Sequence, residues 1–309
     1  MSANEVTTFL SSDGTNNVSV KWWLPEKPKA IVQIEHGMAE YAMRYDWFAQ
    51  QLVAEKIAVC ADDHIGHGDS VKTQEDWGYM GEKDGWKRMA DDAHTLTKIA
   101  KERYPGVPLI LFGHSMGSFL VRYYAQNWSD DIDALIVCGT AGPNPAASAG
   151  IGMATVLKAI KGGHSRSNLL NAMAFGSYLK KIEKAKTAFD WLSVDEENVQ
   201  KYIDDPACGF TFTVCGFRDL FSLLSAISKK DAEKSIRKDL PVLFIAGADD
   251  PVGSYGEGVK QVYKTFIAAG IKDCSMKLYS GARHEILNDF CKEEVVGDIK
   301  DWYGKKFNG

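Results

Sequence analysis

A chain of 309 residues, 45% hydrophobic and 25% charged, has the composition of a globular protein and the length for one large or two ordinary domains. Its formal net charge of -5, with no basic stripe, excludes a dedicated nucleic-acid binder. No segment approaches the ~20 apolar residues that span a bilayer, and the amino terminus has neither a positive region nor an apolar core, so a cytoplasmic location is expected.

The chain opens as a hairpin, with strands at 6–10 and 18–24 around the turn Ser12-Asp13-Gly14-Thr15-Asn16-Asn17. Strands and helices then alternate: strand 30–34, helix 45–55, strand 57–61, helix 86–103, strand 109–112, helix 115–127 and strand 134–138. From Gly142 to about Ser228 no comparable buried strand occurs, and helical patterns at 153–160, 169–178 and 198–203 replace the alternation. It resumes with strand 242–246, helix 258–269, strand 274–279 and helix 293–306. Short apolar runs between amphipathic helices predict an α/β fold with a mostly parallel sheet covered on both faces. The economical division is a core of residues 1–141 and 229–309 with a helical cap, or lid, at 142–228. The six cysteines are scattered, without C-x-x-C spacing, and read as reduced core thiols.

Gly113-His114-Ser115-Met116-Gly117 stands between the strand at 109–112 and the helix that follows. A G-x-S-x-G in a strand-turn-helix context presents its serine as a nucleophile, with the glycines allowing a turn too tight for side chains. The matching chain order is serine, then acid, then histidine. Of seven histidines only His164 and His284 follow Ser115, and His164 falls in the helical insertion, so His284 is the expected base. The acid is expected at the strand end Gly247-Ala248-Asp249-Asp250-Pro251, where both aspartates are candidates. The carboxylate would fix the imidazole tautomer, and the imidazole would take the serine proton and return it to the leaving group. Two backbone N–H groups are needed for the oxyanion; Met116, after the nucleophile, and Met38, in the loop Glu35-His36-Gly37-Met38, are the candidates.

Taken together, His36-Gly37-Met38-Ala39-Glu40 with Arg44-Tyr45, Asp63-His64-Ile65-Gly66-His67-Gly68-Asp69-Ser70, the serine turn, 247–252 and His284-Glu285 resemble an alpha/beta-hydrolase of the monoacylglycerol lipase and lysophospholipase group, the serine aminopeptidase-like hydrolases. The resemblance places the acid on Asp250 and implies an alpha/beta-hydrolase fold, no cofactor and a small lipid-like ester as substrate. It extends into the insertion through Leu192-Ser193 and 202–208, which look like that group's lid. The chain departs from the pattern at Ala39, Tyr41 and Ser118, and Pro251-Val252-Gly253 replace the cysteine that mammalian relatives carry after the acid.

Apolar lid positions, among them Met153, Leu157, Leu170 and Met173, are candidates for acyl-chain contact, and the lid lysines are compatible with transient docking on an anionic lipid surface. His64-x-x-His67 lacks the partner ligands of a metal site and reads as loop structure. Two other readings share these residues. An aminopeptidase would need lid carboxylates for the substrate ammonium, for which Glu183, Asp190, Asp195, Glu196 and Glu197 are available, and a non-catalytic ligand-binding protein would need no serine chemistry.

Overall fold

Glu5–Leu10 (β1) and Asn17–Trp23 (β2) pair antiparallel around a turn in which the Asp13 carboxylate accepts the N–H groups of Thr15 and Asn16. The computed structural model describes residues 3–307; Met1 and Ser2, where the amino-terminal reading begins, lie outside them. Six further strands follow: Ala30–Glu35 (β3), Ile57–Asp62 (β4), Leu109–His114 (β5), Ala134–Cys138 (β6), Val242–Gly247 (β7) and Cys274–Tyr279 (β8). They form one sheet in the order β1-β2-β4-β3-β5-β6-β7-β8, antiparallel at β1-β2-β4 and parallel beyond.

Every residue of β3 through β7 is buried, which is why these strands read as continuous apolar runs rather than alternating ones. Asp46–Val53 (α1) and Lys292–Phe307 (α9) cover one face, burying Phe48, Leu52, Val295 and Ile299. Gly85–Arg103 (α2), Met116–Trp128 (α3) and Glu257–Ala268 (α8) cover the other, burying Met89, Leu96, Val121 and Phe266. Each such side chain contributes about 1.5–3 kcal/mol relative to leaving it in water. The six cysteines are all unpaired thiols, five of them buried.

Between β6 and β7 run four further helices, Ala147–Lys161 (α4), Asn168–Phe175 (α5), Glu196–Asp204 (α6) and Val214–Ile227 (α7), and the only pairing among the described residues there is a single bridge of Arg166 with Thr213. Two of these differ from expectation. Helix α4 starts six residues before the expected 153, and α7 was not expected at all. Of the α7 residues only Arg218, Ser222 and Ser225 are not buried, a narrow polar stripe at i, i+4 and i+7 on an otherwise buried helix. Thr213 caps it, accepting the Gly216 N–H at 3.1 Å.

The turn from β5 to α3 brings three backbones together. A β-carbon on Gly117 would collide with the carbonyl oxygen of Glu35 at the end of β3, and one on Gly113 with the carbonyl oxygen of Gly117. Backbone atoms cannot swing aside as side-chain ends can. Gly117→Ala is therefore expected to cost at least about 4 kcal/mol and to remove soluble protein from expression trials; a wild-type yield and melting temperature would contradict this packing.

Candidate active site

Ser115 sits at the β5-α3 turn with φ 54° and ψ -119°, a left-handed conformation that a non-glycine residue adopts only under constraint. Its N–H donates to Cys138 O at 3.0 Å, locking the turn to the end of β6. On the next loop, after β8, His284 is buried at 1% exposure, and its Nδ1 lies 2.9 Å from Asp250 Oδ2. Asp250, fully buried in the turn after β7, uses its other oxygen to accept the Val252 N–H at 2.8 Å. Asp249 is exposed, so burial separates the two candidates. His284 Nε2 has no partner among the described residues, and His284 shares the wall of one cavity with Ser115. With Nδ1 donating to Asp250, Nε2 is left as the proton-accepting nitrogen.

The loop after β3 is held by histidines. His36 Nδ1 lies 2.7 Å from Gly37 O, and its Nε2 accepts the His64 N–H at 3.0 Å. Burial holds the His36 imidazole well below its usual range and therefore neutral, which makes Nδ1–H the donor. The Gly37 carbonyl and the Met38 N–H belong to one planar peptide, so fixing the first aims the second. The Met116 N–H, in the first turn of α3, has no intrahelical acceptor and stands at the positive end of the helix. Both methionines line the space next to Ser115.

Below this loop His64 stacks on His36 with ring centres 4.0 Å apart, and its Nδ1 lies 3.1 Å from Asp62 and 3.7 Å from Glu35. Burial opposes its charge, but Asp62 above all, with Glu35 behind it, outweighs that and pushes the imidazole up to about 9, while burial and Asp62 push the Glu35 carboxyl up to about 8. These three residues place ligand atoms within 4.8 Å of one another. The imidazolium is itself the cation of that cluster. His67, with Nδ1 3.2 Å from Ile65 O, packs against Phe212 and Phe210.

A second network went unassigned in the sequence reading. Glu40 Oε1 accepts from the Gly37 N–H at 2.5 Å and from Tyr45 Oη at 2.8 Å, and His114 Nδ1 stands 3.3 Å away. Arg44 clamps Glu285 through both guanidinium ends at 2.5 and 2.8 Å and lies 3.6 Å from Glu40, while Asn198 of α6 donates to Glu285 at 2.8 Å. The oxyanion-side loop, the histidine loop and the helical insertion thus meet at one arginine. Burial raises the Glu40 carboxyl, but His114, Arg44 and Tyr45 outweigh it and bring it to about 2. A carboxylate lowered on folding contributes stability that is present above its unfolded value of 4.5 and lost as pH falls toward 2. Glu40→Gln should therefore flatten the loss of stability across that window, and equal losses in urea midpoint between pH 5 and pH 3 in both proteins would refute it.

Two cavities meet at Ser115. One, of about 170 Å³, is lined by His114, His284, Glu40, Glu285, Asn171 and Thr211 among others. The other, of about 390 Å³, has one apolar wall from Phe119, Phe175, Leu220, Phe221 and Leu224 and a polar one from Asn144, Ser254, Glu257 and Gln261. Of the expected acyl-contact residues Met173 lines the second cavity, whereas Met153, Leu157 and Leu170 line neither. The cause is the close packing of α4 on α7, where a β-carbon on Gly150 would strike the Phe221 ring. Helix α4 turns its small residues Ala147, Gly150 and Ala154 inward, which leaves Met153 on the exposed side and Leu157 half-buried at the core edge. Leu170 is the buried residue of α5 and belongs to the main core. Trp191, from the insertion, reaches the site with its ring 5.1 Å from His284.

The model of the Hydrolase_4 family, serine aminopeptidase S33, matches residues 26–290. The chain belongs to this family. Among curated relatives of this S33 hydrolase, a monoacylglycerol lipase of Mycolicibacterium smegmatis is 28% identical over 96% of the chain and 95% of its own length. A monoglyceride lipase homolog of monkeypox virus is 30% identical over 91% and 92%. Among solved structures, a thermostable carboxyl esterase from Bacillus coagulans in complex with glycerol superposes with a TM-score of 0.92 at 34% identity, covering 98% of each chain. The fold of this S33 hydrolase is that of the alpha/beta-hydrolases, and among the described residues no helix is long and apolar enough to cross a membrane.

Proposed function

We propose that this S33 protein is a cofactor-independent serine hydrolase of apolar carboxylic esters of the monoacylglycerol type. Ser115 attacks the ester carbonyl, His284 takes its proton and later protonates the leaving alcohol, and Asp250 holds the imidazole. The Met38 and Met116 N–H groups receive the oxyanion, and water releases the acid from the acyl-enzyme by the reverse proton path. The observation that carries this reading is Ser115 in a strained turn at the junction of two cavities, the smaller shared with His284, His114, Glu40 and Glu285 and the larger walled on one side by Phe119, Leu220, Phe221 and Leu224. The apolar wall of the larger arm suits an acyl chain, and the carboxylates and histidines of the smaller arm suit a hydroxylated leaving group. The relatives named as monoacylglycerol and monoglyceride lipases and the esterase with glycerol point to the same class.

In this reading residues 142–228 are a cap that closes the acyl arm over the core of 1–141 and 229–309. On its outer side Val156 and Ile160 share one helix face, Leu169 and Met173 another, all exposed, with Lys161 and Lys180 nearby in sequence and exposed. That combination supports transient contact with an anionic lipid surface from the cytoplasmic side, tested by co-sedimentation with anionic vesicles.

A series of p-nitrophenyl esters and monoacylglycerols of increasing chain length tests the assignment of the arms. Leu224→Trp fills the apolar arm and should lower kcat/KM for the laurate ester roughly tenfold while sparing the acetate. Equal effects on both esters would move the acyl chain elsewhere. For an aminopeptidase, none of Glu183, Asp190, Asp195, Glu196 and Glu197 lines either cavity; Glu40 and Glu285, which line one, are engaged by Arg44, and Glu257, which lines the other, by Lys260. Hydrolysis of amino-acid naphthylamides at rates rivalling the esters would favour that reading instead.

A further inference from the structure

Arg122 lies on α3, seven residues after the serine, and is 2% exposed. A buried guanidinium ordinarily has a carboxylate partner, because desolvating a cation without one is costly. Among the described residues this one has none within ion-pair distance. Its Nη1 donates to Thr140 Oγ1 at 3.3 Å and to Ala141 O at 3.0 Å, and its Nε has no acceptor. Glu233, on the wall of the same cavity, acts on it only at longer range, and burial lowers the guanidinium to about 10, which leaves it cationic at neutral pH.

The arginine lines a cavity of about 300 Å³ that opens beyond the end of α7 and is separate from the two at Ser115. Its mouth carries Lys229, Lys230 and Lys234; Lys234 is paired with Asp231 at 3.2 Å, while Lys229 and Lys230 carry no ion pair among the described residues. The groups facing it from α8, Val262, Thr265, Ala268 and Ala269, bear no charge, and Ile227 adds to the apolar wall. Arg122 and three lysines outnumber Asp231 and Glu233 among its charged side chains and offset the carbonyl ends of α7 and α8, which also line it. Its floor therefore offers unused guanidinium donors, its mouth two free ammonium groups and its side an apolar strip.

We propose that this cavity binds an oxyanion, a carboxylate or phosphate bearing a short apolar segment, with the anionic head on Arg122 and the apolar part along Ile227, Val262 and Ala268. Guanidinium donors match the two oxygens of a carboxylate or phosphate, and the apolar strip favours an amphiphile over a bare ion. Pro143 lines both this cavity and the apolar arm at Ser115, and Ala141 O is an Arg122 acceptor, so the occupied site would lie directly behind the acyl wall. Two sources share the chemistry: the fatty acid released by ester hydrolysis, a suggestion that rests on the function proposed above, and a free phosphate compound.

Titration calorimetry of the full chain with octanoate and, separately, with inorganic phosphate tests the site without turnover, so its result is independent of whether the protein hydrolyses esters. Octanoate is expected to occupy a site in addition to the one near Ser115. Arg122→Met should weaken that additional site roughly 30-fold or more. Lys230→Glu, on the exposed rim where folding is not at stake, should weaken it about threefold. Binding of either probe there supports the proposal, and their order names the source. If neither probe binds a site sensitive to Lys230→Glu or Arg122→Met, in variants that melt as the wild type does, the proposal is wrong.

Discussion

Ser115→Ala is expected to fold as the wild type does and to hydrolyse p-nitrophenyl butyrate roughly 10⁴ to 10⁶ times more slowly. The hydroxyl fills no cavity whose loss would be felt in stability, and the turn is held by backbone groups, the Ser115 N–H on Cys138 O and the Ser118 N–H on Ser115 O. Alanine also sits at the positive φ with no more strain than serine. What disappears is the hydroxyl proposed to form the acyl-enzyme, on a residue that lines both cavities. Asp250→Asn tests the other end of the relay: its amide leaves the packing intact but favours the wrong imidazole tautomer, and a loss of about 10⁴ in kcat is expected. Stopped-assay rates with both variants, beside circular dichroism and melting curves, separate chemistry from folding. Ester hydrolysis that survives Ser115→Ala at more than a tenth of the wild-type rate would remove the serine from the mechanism.

The proposed nucleophile and base, Ser115 and His284, are legible in the sequence for particular physical reasons. A parallel sheet buried on both faces writes each strand as an apolar run, and β5 ends directly on the glycine-bounded serine. Chain order then left one histidine outside the insertion. The choice between Asp249 and Asp250 was not available from residue types alone, because it depends on which side of one turn faces the protein interior. Helix α7 was harder to see because, packed by α2, α3 and α4, it keeps only the narrow polar stripe of Arg218, Ser222 and Ser225. The inward face of α4 was misread because close helix packing selects alanine and glycine over methionine and valine. The Arg44 network was only partly within reach: Glu40 stands four residues away, but Asn198 and Glu285 stand 154 and 241 residues away in the chain and only the fold joins them.

Arg44→Met should lower stability by about 3–5 kcal/mol, since it leaves Glu40 and Glu285, 4% and 3% exposed, without the cation between them. His114 still faces Glu40, but Glu285 retains only the Asn198 amide. Repulsion across the gap then acts on two loops at once. Glu40 anchors the Gly37 N–H, next to the peptide that aims Met38, and Glu285 follows His284 directly in the chain. Displacing either by an ångström costs a rate factor of about 10² when the reacting geometry is tight. The loss should appear in kcat more than in KM, because the apolar arm that would hold the acyl chain does not touch Arg44. The double variant Arg44→Met with Glu285→Leu removes one orphaned charge together with the cation and should recover part of the stability. Urea midpoints and steady-state kinetics on the three proteins decide the matter: a single variant that keeps both wild-type stability and wild-type kcat would show that the network merely decorates the site, and recovery of stability without kcat would assign to Glu285 a positioning role of its own.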